Sequence, residues 1–215
     1  MVDRFETPIF KPREAAHYLR MPESTMRDWL GGGSHASVLV HSVSPERHGW
    51  PSIPFVGLIE AYVLRHLREL GLSTRSVREA ANAVRSEFGT PYALATKKIA
   101  TDGIDIFIEY ADAGDLARAR DGQRPIRDVV TDYLRYIEWD LQDQYAGALR
   151  LPQFRTNAVI IDPNFAFGQP VLASKKIPVE AIVDLWKAGE PMEVVAEEYE
   201  LDVDAVEDLC RASVA

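Results

Sequence analysis

A single cysteine, Cys210, leaves no internal disulfide and no cysteine-built metal site to consider. It lies on an apolar helical stripe, so core packing rather than nucleophilic chemistry is its expected role. No run of about 18 apolar residues occurs, which excludes a membrane-spanning helix. Residues 1–6 do not lead a basic start into an apolar core, so no secretory leader is expected and the cytoplasm is the expected compartment. There is no Gly-rich phosphate loop and no Gly-x-Ser-x-Gly, and the five histidines lack metal-ligand spacing with carboxylates. These absences argue against an enzyme, and neither a cofactor nor a metal is expected. Positive charge is also short, with 24 Lys+Arg against 33 Asp+Glu. The resulting net charge of −9 speaks, as a total, against a nucleic-acid partner.

The total conceals a gradient. Residues 1–90 carry 11 Lys/Arg and 10 Asp/Glu, residues 91–150 carry 8 and 11, and residues 151–215 carry 5 and 12. The local balances are therefore +1, −3 and −7, and all five histidines fall in the first segment. Any nucleic-acid surface belongs to that segment. With 47% apolar and 27% charged residues the composition is globular, with room for one large domain or two to three small ones.

Pro12 suits the first turn of a helix that runs to Leu19, with Ala15, Ala16 and Leu19 on one apolar stripe. Pro22 disfavours helical geometry at the residue before it, so Arg20-Met21-Pro22 is a break. The spacing predicts a second helix over Glu23–Leu30, stopped by Gly31-Gly32-Gly33. It turns Met26, Trp29 and Leu30 inward and Ser24, Arg27 and Asp28 outward, with Thr25 on the flank. That is the layout of a helix-turn-helix, although periodicity alone admits a plain helical hairpin. Ser37–Ser42 reads as a short strand and residues 44–51 as a turn, together a candidate wing. Pro54 opens an apolar helix to about Leu70, with Phe55, Leu58, Ile59, Tyr62, Val63, His66, Leu67 and Leu70 inward and Gly71 as C-cap. Ser73 caps a further helix to about Phe88. Its apolar stripe is Val77, Ala80, Ala81, Val84 and Phe88, and Arg75, Arg78, Asn82 and Arg85 line the other side. Arginines so placed are either solvated or hold phosphates.

Over residues 11–88 the chain resembles the winged helix-turn-helix of MerR-type transcriptional regulators, with Thr25, Arg27 and Trp29 on that family's Thr-x-Arg-x-aromatic run. The resemblance implies that the second helix enters the major groove and that the wing and following helix hold phosphates, the aromatic being structural. Arg13, Ser24, Thr25, Arg27, Arg75 and Arg78 are the candidate DNA-binding residues. Pro22 departs from the usual Ser or Thr cap, and Asp28 faces outward where it repels phosphate. The long dimerisation helix and the effector cysteines of MerR-type sensors are missing.

Residues 91–156 read as a connector or oligomerisation segment. Asp102-Gly103 between the β-prone runs Leu94–Ala100 and Ile104–Tyr110 predicts a hairpin. A short helix is expected over Asp112–Arg120, closed by Gly122, and a longer one from Pro125 to about Asp143. Its acids Asp128, Asp132 and Asp140 read as solvated surface rather than a metal site.

Residues 157–215 open with a short hairpin, Ala158–Ile161 turned by Asp162-Pro163 and returning over Phe165–Leu172. Three short helices follow: one from Pro178 ending at Gly189, one over Pro191–Tyr199 with Val194, Val195 and Ala196 inward, and one capped by Asp202 through Val203, Val206, Leu209 and Cys210. The pattern is homeodomain-like. The chemistry nevertheless refuses DNA, because Asp204, Glu207 and Asp208 stand on the helix that would enter the groove and Glu193 and Glu197 on the one before it. Such a surface suits a basic protein partner, or self-association through its apolar face.

The motifs Asp162-Pro163, Gly168-Gln169-Pro170-Val171, Ile177-Pro178-Val179, Ala188-Gly189-Glu190 and Ala196-x-x-Tyr199 are similar to those of a small antitoxin family of formerly unknown function. Ala173-Ser174-Lys175 departs from the Gly and Thr or Arg usual there. The resemblance implies a VapB-type antitoxin that silences a PIN-like ribonuclease toxin and represses its own operon. Expected, then, is a mainly α, α+β chain of three parts. These are a MerR-like winged helix-turn-helix over 1–90, a hairpin-plus-helix connector over 91–156, and an antitoxin homeodomain-like module over 157–215. The expected partners are the toxin, through Glu193, Glu197, Asp204, Glu207 and Asp208, and operator DNA, with a homodimer or a hetero-oligomer with toxin and no membrane. The dimer surface stays open between the middle segment and the C-terminal helices. A stand-alone MerR-like regulator without a toxin, and a scaffold that binds no DNA, are the rival readings.

Overall fold

The computed structural model describes residues 2–32, 38–110, 126–155 and 158–214. The chain is mainly α with small antiparallel β pairings, and it divides into two compact units, residues 1–147 and 148–215. Most of the expected connector thus packs with the first unit.

In the first unit α1 (Pro12–Tyr18) and α2 (Glu23–Trp29) pack against each other through buried Ala15, Ala16, Leu19, Met26 and Trp29. Glu14 turns back to accept the Lys11 N–H at 2.9 Å, which closes the start of α1. Arg20, at φ 49°, makes the left-handed step of the turn. Pro22 is the N-cap of α2 with no side-chain cap, its extended backbone alone setting the entry angle.

Helix α3 (Phe55–Glu69) is buried along nearly its whole length, and α4 (Thr74–Phe88) lies against it. Ser73 caps α4 by accepting the Ser76 N–H at 3.1 Å, as its position in the sequence predicts. Helix α5 (Ile104–Tyr110) packs on α4, and α6 (Ile126–Leu134) on α3. The α3–α6 contact is aromatic. The His66 ring lies 3.9 Å from that of Tyr133 and 4.3 Å from that of Tyr62, whose hydroxyl donates to the Tyr133 carbonyl at 3.0 Å. Strand β1 (Ile137–Trp139) turns back into β2 (Ala146–Arg150), the Asp140 N–H meeting the Tyr145 carbonyl at 2.8 Å.

The second unit begins within β2, which pairs antiparallel with β3 (Val159–Ile161), and β3 with β4 (Val171–Leu172). Helices α7 (Val179–Lys187), α8 (Met192–Tyr199) and α9 (Val203–Val214) pack on one another around Ile182, Val183, Val195, Val206 and Leu209. Pro178 and Pro191 are again N-caps without side-chain caps.

Four expectations need correcting. The runs around Asp102-Gly103 form no hairpin: Ile99–Gly103 is a wide helical turn that leads into α5. Ile104 and Phe107 are both buried, and a spacing of three puts both on one face only in a helix. The helix expected to reach Asp143 stops at Leu134, since Asp140 and Asp143 are pulled into a turn by Arg4, which bonds both carboxylates and the Ala146 carbonyl. Residues 38–42 form no regular strand, because both Leu39 and Val40 donate to the Trp29 carbonyl. Val194, expected inward, is exposed. The helix expected over Asp112–Arg120 lies outside the described residues.

Candidate functional site

Helix α2 presents the residues that the sequence singles out. Packing of Met26 and Trp29 into the core leaves Ser24 and Arg27 exposed and Thr25 half-buried on its flank. Arg13, on the first turn of α1, is also exposed. Arg27 is not solitary. Its Nε and Nη2 reach Glu23 Oε1 at 2.9 and 2.6 Å, an i,i+4 pair along the outer face of α2. Glu23 thus takes two of the five guanidinium donors and offsets the charge that a phosphate would feel. The Glu-x-x-x-Arg spacing was legible in the sequence, but the pair was not read from it.

The candidate wing rests on a short ladder. Phe10 and Ile53 exchange backbone hydrogen bonds, and the Val43 N–H meets the Ser52 carbonyl at 2.8 Å. Residues 44–50 project from this base and are exposed, with the Arg47 guanidinium 5.3 Å from the Trp50 ring centre. Where the base crosses α3, the His41 carbonyl passes so close to Gly57 that a Cβ there would collide with it. Glycine at 57 is a packing requirement.

Beneath the wing lies an ion pair that the sequence reading missed. Glu60 is 0% exposed; its Oε1 accepts from Arg85 Nη2 at 2.9 Å and its Oε2 from the His41 N–H at 2.6 Å. Arg85 also donates to the Leu39 carbonyl, and through Nε to the Pro91 carbonyl at 3.1 Å. The sequence puts Arg85 on the outward stripe of α4, yet it turns inward and joins the wing base, α3 and the segment after α4. Burial raises the Glu60 carboxyl above the usual range, opposed by the Arg85 charge and the His41 N–H.

Of the other α4 candidates, Arg75 is exposed and paired with Glu79 at 2.9 Å, and Arg78 is half-buried. The DNA-binding candidates thus fall into one set on α1–α2 and a second on the first two turns of α4.

In the second unit Glu193 and Glu197 on α8 and Asp204 and Glu207 on α9 are exposed. Glu207 pairs with Arg211 one turn on. Asp208 is half-buried and accepts the Arg155 N–H at 2.8 Å, which gives it a structural task. Lys175, from the loop that departs from the antitoxin pattern, caps α8. Its Nζ donates to the Tyr199 and Glu200 carbonyls at 2.9 and 3.0 Å and pairs with the Glu200 carboxylate at 2.8 Å. That lysine holds the Glu200 carboxyl below its ordinary pKa. Cys210 is buried in α9 and burial pushes its thiol up, the reverse of an activated nucleophile. Among the described residues no helix is long and apolar enough to cross a membrane.

Comparison with known proteins follows these two units. Residues 8–81 match a family described as "Putative DNA-binding HTH domain", and residues 159–211 one described as "Protein of unknown function (DUF433)". The chain is 28% identical to a protein of Mycobacterium tuberculosis named "Putative antitoxin VapB45", in an alignment covering 99% of this chain and 96% of that one. It is similar in structure to Rv2018 from Mycobacterium tuberculosis, known from an X-ray crystal structure. The TM-score is 0.81 and the identity 29%, over 96% of this chain and 99% of the other. The N-terminal helix-turn-helix read from the sequence is found again in the first of these family matches, and the antitoxin resemblance in the name of the Mycobacterium tuberculosis relative.

Proposed function

We propose that the chain is the antitoxin of a type II toxin–antitoxin pair. In this reading residues 1–90 bind operator DNA and repress the operon, and residues 157–215 bind and silence a PIN-like ribonuclease toxin. The observation that carries it is the opposite chemistry of the exposed helix faces in the two units. Helix α2 exposes Ser24 and Arg27, whereas α8 and α9 expose Glu193, Glu197, Asp204 and Glu207. A hydroxyl-and-guanidinium face can enter the groove of DNA and bond base edges and phosphates. The acidic faces are repelled by phosphate, and they complement the basic cleft with which a ribonuclease holds RNA. The name of the Mycobacterium tuberculosis relative, "Putative antitoxin VapB45", supports the antitoxin role.

The DNA surface consists of Arg13, Ser24, Thr25 and Arg27, backed by phosphate contacts from Arg75 and Arg78. Paired half-sites call for a homodimer, free or joined to toxin. Co-expression with the product of the adjacent gene, followed by size-exclusion chromatography and gel shifts on the chain's own promoter over a salt series, tests both halves. The expected result is one complex that inhibits the ribonuclease and holds the promoter at salt that strips non-specific DNA. Absence of a complex refutes the toxin half, and promoter binding that vanishes together with non-specific binding refutes the repressor half.

A further inference from the structure

The loop between β3 and β4 displays an aromatic side chain at a cost in backbone conformation. Ala166, Phe167 and Gly168 follow one another at φ 46°, 52° and 80°. Only the last is a residue for which the left-handed region is free of penalty. For a bulky residue such as Phe167 the position is an outlier. Phe167 gains no burial in return, being 89% exposed, and Phe165 is 38% exposed.

The loop is nevertheless firmly built. Asp162 accepts from the Asn164 N–H at 2.9 Å and from its Nδ2 at 3.1 Å. The Gly168 N–H reaches the Phe165 carbonyl at 2.9 Å, and Ala166 packs on Ala148, Ile160 and Val171. Lys176 Nζ lies 4.8 Å from the Phe165 ring centre, and the neighbouring Lys175 is the residue that caps α8. The aromatic loop and the end of an acidic helix are therefore held by adjacent residues. Strain at an exposed side chain, fixed by its surroundings, points to a function outside the folding of the unit.

We propose that Phe167, supported by Phe165, is the anchor by which this unit grips its toxin, filling an apolar pocket with a basic rim. Charge selects the occupant. Asp162 begins the loop and Gln169 at its end donates to Glu180 at 3.0 Å; although Lys176 lies against Phe165, residues 151–215 as a whole carry 12 Asp/Glu against 5 Lys/Arg. That setting repels nucleic-acid phosphate and anionic lipid, and it complements a cationic protein surface. An exposed aromatic held in place by a fixed backbone is a common form of interface hot spot.

The inference rests on the toxin-binding reading above, and one experiment separates the two. Full-length chain and its Phe167→Asn and Phe167→Ala variants are titrated against the adjacent-gene ribonuclease, with Leu141→Ala, an 87% exposed leucine of the first unit, as control. Asparagine tolerates the left-handed region, so Phe167→Asn is expected to melt at the same or a higher temperature. It is expected to lose roughly thirtyfold or more in toxin affinity, with promoter binding unchanged and Leu141→Ala unaffected. Wild-type binding with Phe167→Asn within threefold of it overturns the anchor and leaves the toxin reading standing. A loss of affinity accompanied by a lowered melting temperature also overturns the anchor, by making Phe167 structural. No binding by the wild-type chain overturns both.

Discussion

Replacing Arg85 by methionine is expected to destabilise the first unit by about 3–5 kcal/mol, the usual cost of stranding one member of a buried ion pair. The geometry makes this site severe. Glu60 is wholly buried, and without Arg85 its carboxylate keeps only the His41 N–H at 2.6 Å. The Leu39 and Pro91 carbonyls lose their guanidinium donor in the same stroke. Against a total domain stability of about 5–15 kcal/mol the loss is a large fraction. Burial already raises the Glu60 pKa and Arg85 is the strongest influence lowering it, so the variant's native carboxyl rises further above its unfolded value. A group with a raised folded pKa contributes fully below its unfolded pKa and loses that contribution as pH rises through the folded one. Urea denaturation should therefore find a smaller deficit near about pH 5 than near about pH 8. Glu60→Gln combined with Arg85→Met should recover part of the loss, since a neutral amide is cheaper to bury than an unpaired charge. A deficit under about 1 kcal/mol, or one that does not change with pH, refutes the keystone role.

Arg27→Ala is expected to weaken promoter binding by about 1–3 kcal/mol if Arg27 reads a base edge, whereas a uniform loss across sequences marks a phosphate contact. Glu23→Gln should act in the opposite direction, because it releases Arg27 from its 2.6 Å pair; gel shifts over a salt series should show tighter binding. Ser73→Ala removes the N-cap of α4 and should cost about 1 kcal/mol in thermal or urea unfolding. His66 is buried against Tyr62 and Tyr133, and burial lowers its pKa, so its contribution is complete above the unfolded value and lost as pH falls. His66→Phe should accordingly flatten the acid limb of the stability profile below about pH 6.5, measured by circular dichroism.

What was legible in the sequence is what short-range chemistry decides. Pro12, Pro22, Ser73 and Gly71 punctuate the first four helices, and the spacing of Ala15, Ala16, Leu19, Met26 and Trp29 gives the inner faces of the first two. The same holds for β3, β4 and the three helices of the second unit. What was illegible depends on partners far along the chain. Arg4 reaches Asp140 and Asp143, more than a hundred residues on, and no window around Asp140 announces that its helix has ended. Asp102-Gly103 carries hairpin chemistry, but the buried faces of Ile104 and Phe107 against α4 overrule it. Arg85 looks solvent-facing until Glu60, 25 positions earlier, is seen to need it.

Net charge is a poor guide to this chain for a related reason. At physiological ionic strength a charge is felt over about 8 Å, so the acids that matter to a phosphate at α2 are those beside it. Those are Glu23, already committed to Arg27, and exposed Asp28, rather than the sum of −9. The same screening makes the acids of α8 and α9 act on whatever touches them and on little else. Two helical modules can then carry incompatible surfaces in one polypeptide, and the fold by itself assigns neither of them a partner. The proposed assignment rests on a few exposed side chains: a guanidinium paired with one glutamate in the first unit, and in the second a strained, exposed phenylalanine.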